Sequence, residues 1–165
     1  MPDASPDAPA AVRMICRDLS AAPIFRLPEG FRIANFAVGD ADTWLAVQKA
    51  AEPRLPVELP WFFSDFGEDP KVHADRILFL STAGGEPIGT ATAWFDDVEK
   101  RPERGRLHWV AIVPDHQGRG LAKPLVSAAL QRLQQLGHRE AFLHTDEGRP
   151  LAIRLYEQFG FARFV

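Results

Sequence analysis

The stretch "WVAIVPDHQGRGLAKPLV", residues 109–126, constrains the fold most, because it changes from one kind of secondary structure to another within a few residues. Its first part continues the apolar run "GRLHWVAIV", which reads as a strand in a sheet interior. Its second part opens "LAKPLVSAALQRLQQLG", a helix: Leu121, Leu125, Ala129, Leu133 and Leu136 recur every three or four residues, and Gly137 stops it. Proline lacks an N–H and is tolerated only in the first turn of a helix, so Pro124 sets the start near Gly120 or Leu121. The N–H groups of Gly118, Arg119, Gly120, Leu121 and Ala122 are then left without intrahelical acceptors. Two glycines let that backbone curl and let a ligand approach where no Cβ stands. Free donors at the positive end of a helix make an anion site, most naturally for phosphate, with Arg119 and Lys123 adding charge beside it. Neither the G-x-G-x-x-G pattern nor the G-K-[ST] ending of a P-loop is present.

The remaining chain reads as strands and helices in alternation. Residues 1–24, rich in Pro, Ala and Asp, are expected to form a flexible tail, with one domain over residues 25–165. Phe31, Ile33 and Phe36 mark a first strand, and "GDADTWLAVQKAAE" a helix capped by Asp40 or Asp42. "PRLPVELPWFFSDFGEDPKVHAD" is proline-broken and aromatic, too irregular for a long helix. "RILFLST", "AGGEP" and "IGTATAWF" form a hairpin, "AFLHT" a further strand and "PLAIRLYEQF" a helix from Pro150 to before Gly160, with "FARFV" last. This order predicts an α/β (α+β) fold, a mixed sheet with helices on both faces.

Composition narrows the function. The formal charge, 19 − 22 = −3, offers no basic surplus for nucleic acid or anionic membrane. One cysteine, Cys16, excludes an internal disulfide. No apolar run approaches the roughly 18 residues needed to cross a bilayer. The acidic, proline-rich N-terminus is unlike a signal peptide, so a cytoplasmic location is expected. His73, His116, His138 and His144 show no ligand spacing, and no metal is expected.

The segment from Gln117 through Gly118, Arg119, Gly120 and Leu121 to Ala122 resembles the Q/R-x-x-G-x-G/A signature of the GNAT acyltransferases. "VAIVPDH" is similar to that family's fourth strand, and "AIRLYEQFGF" to its C-terminal helix and strand. In element order the resemblance covers most of residues 29–162. It implies a central, mostly antiparallel mixed sheet whose fourth and fifth strands splay, with acetyl-CoA as co-substrate in the gap. The implied pyrophosphate donors are the backbones from Gln117 to Ala122, and Ile112 and Val113 would pair with the pantetheine arm. Tyr156, the only tyrosine, stands where the family has the tyrosine that hydrogen-bonds the CoA sulfur. A phenol, with an ordinary pKa near 10, can protonate a departing thiolate. Arg149 departs from the pattern, standing where the family often has Asn; it reaches either a CoA phosphate or solvent.

The implied activity is transfer of an acetyl group to a primary amine of a small molecule or peptide, by direct attack in a ternary complex. The alternative is a noncatalytic acyl-CoA-binding sensor or partner subunit. Some relatives carry a glutamate base on the fourth strand, and none is present here. Strand parity groups Arg106, His108, Val110 and Ile112, leaving His108 as the strand's candidate base. Asp96, Asp97 and Glu58 are the alternatives. Trp61, Phe62, Phe63 and Phe66, set among Glu58, Asp65, Glu68 and Asp69, suit either a roof over a cationic acceptor or a core under a long loop. Many relatives continue past the position of Val165 into another strand; either the last strand here is short, or a neighbouring subunit covers its edge in a homodimer.

Overall fold

The computed structural model describes residues 8–165. In chain order the strands are β1 (Ala11–Cys16), β2 (Phe31–Asn35), β3 (Ile77–Thr82), β4 (Pro87–Phe95), β5 (Arg104–Ile112), β6 (Glu140–Asp146) and β7 (Ala162–Arg163). The helices are α1 (Ala41–Ala51), α2 (Leu59–Phe66), α3 (Pro70–Arg76), α4 (Ala122–Gln135) and α5 (Pro150–Glu157). All seven strands form one sheet in the order β2-β3-β4-β5-β6-β1-β7. Only β5 and β6 run parallel; every other neighbouring pair is antiparallel.

Two apolar layers flank the sheet. On one face α4 buries Leu125, Val126, Ala129, Leu130 and Leu133 against Leu78, Leu80, Ala91, Ala93 and Leu107. The other face is aromatic: Trp44 of α1 and Phe62 and Phe66 of α2 pack with Phe36, Phe79 and Trp94. The aromatic segment is thus two short helices, α2 and α3, each opened by a proline in its first turn. Phe62 and Phe66 are core, whereas Trp61 and Phe63 keep 36% and 41% of their surface. The segment divides residue by residue between the two readings given for it.

The expected tail is corrected by the structure. Its first seven residues lie outside the described residues, but Ala11–Cys16 is a strand between β6 and β7. Its register with β6 runs from Ala11 opposite Asp146 to Cys16 opposite Ala141. Met14 has no exposed surface, and Val12, Ile15 and Cys16 are buried. This burial of apolar surface outweighs the ordering entropy that the flanking Pro, Ala and Asp residues suggested would prevail. The folded region therefore begins before residue 25, and the strand resembling the family's fourth is β5. The last strand is indeed short, two residues paired to β1.

Candidate active site

The cleft opens because β5 and β6 part. They pair only from Arg104–Glu140 to Arg106–Phe142, and the rest of β5 has no partner on that side. This is the splay that the family resemblance implied. The resulting cleft, about 800 Å³, is lined by His108, Ile112, Gln117, Gly118, Gly120, Leu121, Ala122, Arg149 and Tyr156 among others. Arg119 and Val113 do not line it; the Val113 N–H donates to the Ile88 carbonyl (2.9 Å) and so faces β4.

At one end lies the glycine handover. Gly118 and Gly120 take φ of 72° and 75°, a region that favours glycine, and α4 begins at Ala122 with Pro124 in its first turn. Among the described residues, the N–H groups of Gly118, Arg119, Gly120, Leu121 and Ala122 have no backbone acceptor outside the helix. Gln117 is different. Its N–H donates to the Pro114 carbonyl (3.1 Å) and its Nε2 to the Ile112 carbonyl (2.7 Å), so it shapes the loop.

Tyr156 faces the cleft from α5, and burial pushes its phenol up to about 12, only partly offset by the Arg149 guanidinium. It therefore stays protonated, a donor, across the physiological range. Arg149 does not reach into solvent alone. Its Nη1 pairs with Glu52 at the end of α1 (2.6 Å) and its Nε with Asp146 at the end of β6 (3.1 Å), bridging the two sides of the cleft.

The middle of the cleft is shaped by a bulge. Thr90 pairs with Ala111 and Thr92 with His108, so β5 carries one residue more than β4 there. Trp109 takes φ of 49°, a strained conformation for a bulky side chain. The buried Gln48 donates from Nε2 to the Trp109 carbonyl (3.1 Å), and the Trp44 ring meets the Trp109 ring edge-on, centroids 5.1 Å apart. The extra residue overturns the expected strand parity. Val110 and Ile112 pack with Leu107 on the α4 side, while His108 and Trp109 pack on the aromatic side beside Phe66 and Trp44.

His108 keeps 15% of its side-chain surface and meets Asp65 of α2 through Nε2 (3.2 Å). The same Asp65 oxygen accepts from Trp109 Nε1 at 2.7 Å. Burial holds the imidazole below its ordinary value; Asp65 opposes that and Arg106 adds to it. The other candidate bases are engaged elsewhere. Asp96 is buried in an ion pair with Arg104 (2.7 Å) and accepts from the N–H groups of Val98, Glu99 and Arg101. Asp97 holds Arg106 (2.6 Å), and Glu58, exposed just before α2, does not line the cleft. Sequence reasoning missed the pairing of Asp65 with His108, and Gln48 and Glu52 altogether. Nothing local signals them, because their partners lie 43, 61 and 97 residues away. Among the described residues no group of three or more His, Cys, Asp or Glu is placed to hold a metal, and no helix is long and apolar enough to cross a membrane.

An open mixed sheet parted beside a glycine-rich helix start is the architecture that the resemblance to the acyltransferases implied, and comparison with known proteins identifies the family. The model of the acetyltransferase (GNAT) family matches residues 42–161, and the chain belongs to that family. Similar proteins include the mycothiol acetyltransferases of Pseudarthrobacter chlorophenolicus, 33% identical over 86% of this chain and 46% of the relative, and of Geodermatophilus obscurus, 32% identical over 86% and 47%. The chain spans about half the length of these curated relatives. A GCN5-related N-acetyltransferase from Sphaerobacter thermophilus shares the fold with a TM-score of 0.77 at 23% identity, covering 95% of this chain and 50% of that one. A tandem GNAT protein from the clavulanic acid biosynthesis pathway does so at 0.67 and 16% identity, over 96% and 51%.

Proposed function

We propose that this chain transfers the acetyl group of acetyl-CoA to a primary amine within a ternary complex. The observation that carries the reading is one cleft that holds free backbone donors at one end and both Tyr156 and His108 along its walls. The residues fit the co-substrate: the unpartnered N–H groups from Gly118 to Ala122 suit phosphate oxygens, and no Cβ blocks Gly118 or Gly120. A small-molecule acceptor is favoured by the names of the similar mycothiol acetyltransferases.

His108 takes a proton from the incoming amine, which frees the nitrogen lone pair to form the new C–N bond. Tyr156 donates its phenolic proton to the sulfur as the C–S bond breaks. Both residues regain their resting protonation from solvent. The low basicity that burial imposes on His108 keeps it neutral, and so able to accept, at physiological pH.

The test is acetyl-CoA titration by calorimetry followed by thiol release with a panel of small amines. Binding with amine-dependent thiol release is the expected result. Binding without release for any amine would leave a noncatalytic acyl-CoA-binding protein, and no binding would remove the reading. A second expectation concerns the loop. Gly120→Val forces a β-branched residue into φ of 75° and puts methyl groups where phosphate approaches, so acetyl-CoA affinity should fall at least about tenfold. Unchanged affinity would show that the loop does not hold the ligand.

A further inference from the structure

His108 presents two nitrogens, and the geometry decides which one is free. Nε2 lies 3.2 Å from Asp65 Oδ2, a carboxylate oxygen that can only accept, so Nε2 carries the proton and the lone pair is on Nδ1. Asp65 is itself held. Trp109 Nε1 donates to the same oxygen, and Phe66, the next residue of α2, is buried in the aromatic core against Trp94 and beside the His108 ring. Burial raises the Asp65 carboxyl, and the hydrogen bonds from His108 and Trp109 outweigh it, leaving it below the ordinary carboxylate range and ionised. The titratable and charged groups facing His108 come from three elements and one turn: Asp65 from α2, Arg106 from its own strand, His144 from β6, which burial holds below the ordinary imidazole value, and Asp97 from the β4–β5 turn. Asp97 is neutralised by its 2.6 Å pair with Arg106, which leaves Asp65 as the carboxylate in hydrogen-bonding contact with the ring.

We propose that Asp65 is the positioning residue of the acetyl transfer, fixing His108 with its proton on Nε2 so that Nδ1 is the atom that accepts the proton of the amine. This rests on the assignment of His108 as base. It joins α2, which sequence reasoning left open between core and roof, to the chemistry on β5. It also explains why one carboxylate spans Trp109 and His108: the oxygen that steadies the bulge orients the base beside it.

The test uses the full chain labelled with 15N-histidine, with His108→Ala identifying the resonance. Long-range nitrogen–proton correlation should show the Nε2–H tautomer for His108. Asp65→Asn keeps an acceptor oxygen but loses the charge, so the tautomer should persist while the titration midpoint of His108 falls. Asp65→Leu removes the acceptor and should mix the tautomers. In thiol-release kinetics Asp65→Asn should lower kcat by about tenfold to a hundredfold. The acid limb of the pH profile should move to lower pH, with KM for acetyl-CoA unchanged within about twofold. An Nδ1–H tautomer in the parent protein, or a midpoint indifferent to Asp65→Asn, would overturn the proposal even if His108→Ala is inactive. Full turnover by His108→Ala would remove the base itself, and the proposal with it.

Discussion

Tyr156→Phe is expected to lower turnover by about a hundredfold or more while leaving acetyl-CoA affinity nearly unchanged, because the ring stays and only the proton donor goes. The phenyl ring still packs beside Phe161 at the far end of α5, so the fold has no reason to change. With the phenol pushed up to about 12, its protonated form is present at every pH at which the protein is handled. An alkaline decline in kcat near neutrality would therefore belong to another group. The measurement is single-turnover thiol release beside calorimetric titration of acetyl-CoA. Unchanged turnover would take the proton-donor role from Tyr156. A parallel loss of affinity would make it a binding residue instead.

The second large effect is on stability, at a position that composition places in a tail. Met14→Ala should cost about 2–5 kcal/mol, as truncation of a fully buried side chain does when its surroundings cannot collapse. For a domain of this size that corresponds to a fall in Tm of roughly 4–20 °C. Met14 has no exposed surface and packs in the same cluster as Leu143 of β6 and Phe161, so it ties β1 to elements far along the chain. Thermal unfolding followed by circular dichroism reads the effect directly. A change within about half a kcal/mol, the usual range for surface positions, would mean that the strand contributes nothing to the fold.

What could be read from the sequence divides along the range of the interactions involved. The glycine handover, the start of α4 just before Pro124 and its stop at Gly137, and the β3–β4 hairpin all depend on residues within a few positions of each other. Steric rules for Gly and Pro act at that range, and these features were legible. β1 was not. "AVRMIC" is six residues interrupted by an arginine and flanked by Pro, Ala and Asp, and its partner strand lies about 130 residues away. The site shows the same division. Tyr156 and most of the loop, singled out by local pattern, line the cleft, while Arg119 does not. The side of the sheet taken by Val110 and Ile112 was misread, because a period of two assumes an unbroken pleat and the bulge at Trp109 adds a residue. His108, singled out in the sequence, lines the cleft, but its partner Asp65 sits on a helix that only the packing of Phe62 and Phe66 brings alongside.

The place of β1 in the sheet also has a kinetic consequence. Its hydrogen-bonding partners are β6 and β7, whose residues are synthesised long after it, so Val12, Met14 and Ile15 leave the ribosome with no edge to join. At about 5–20 residues per second, the wait for residue 146 is on the order of ten seconds. Until then β2 to β5 can form their antiparallel ladder, while an apolar strand trails free beside it. Closure of the sheet is thus a long-range event, slow by contact order and delayed by the pace of translation. In that interval the segment is a natural site for chaperone capture or for pairing with another nascent chain.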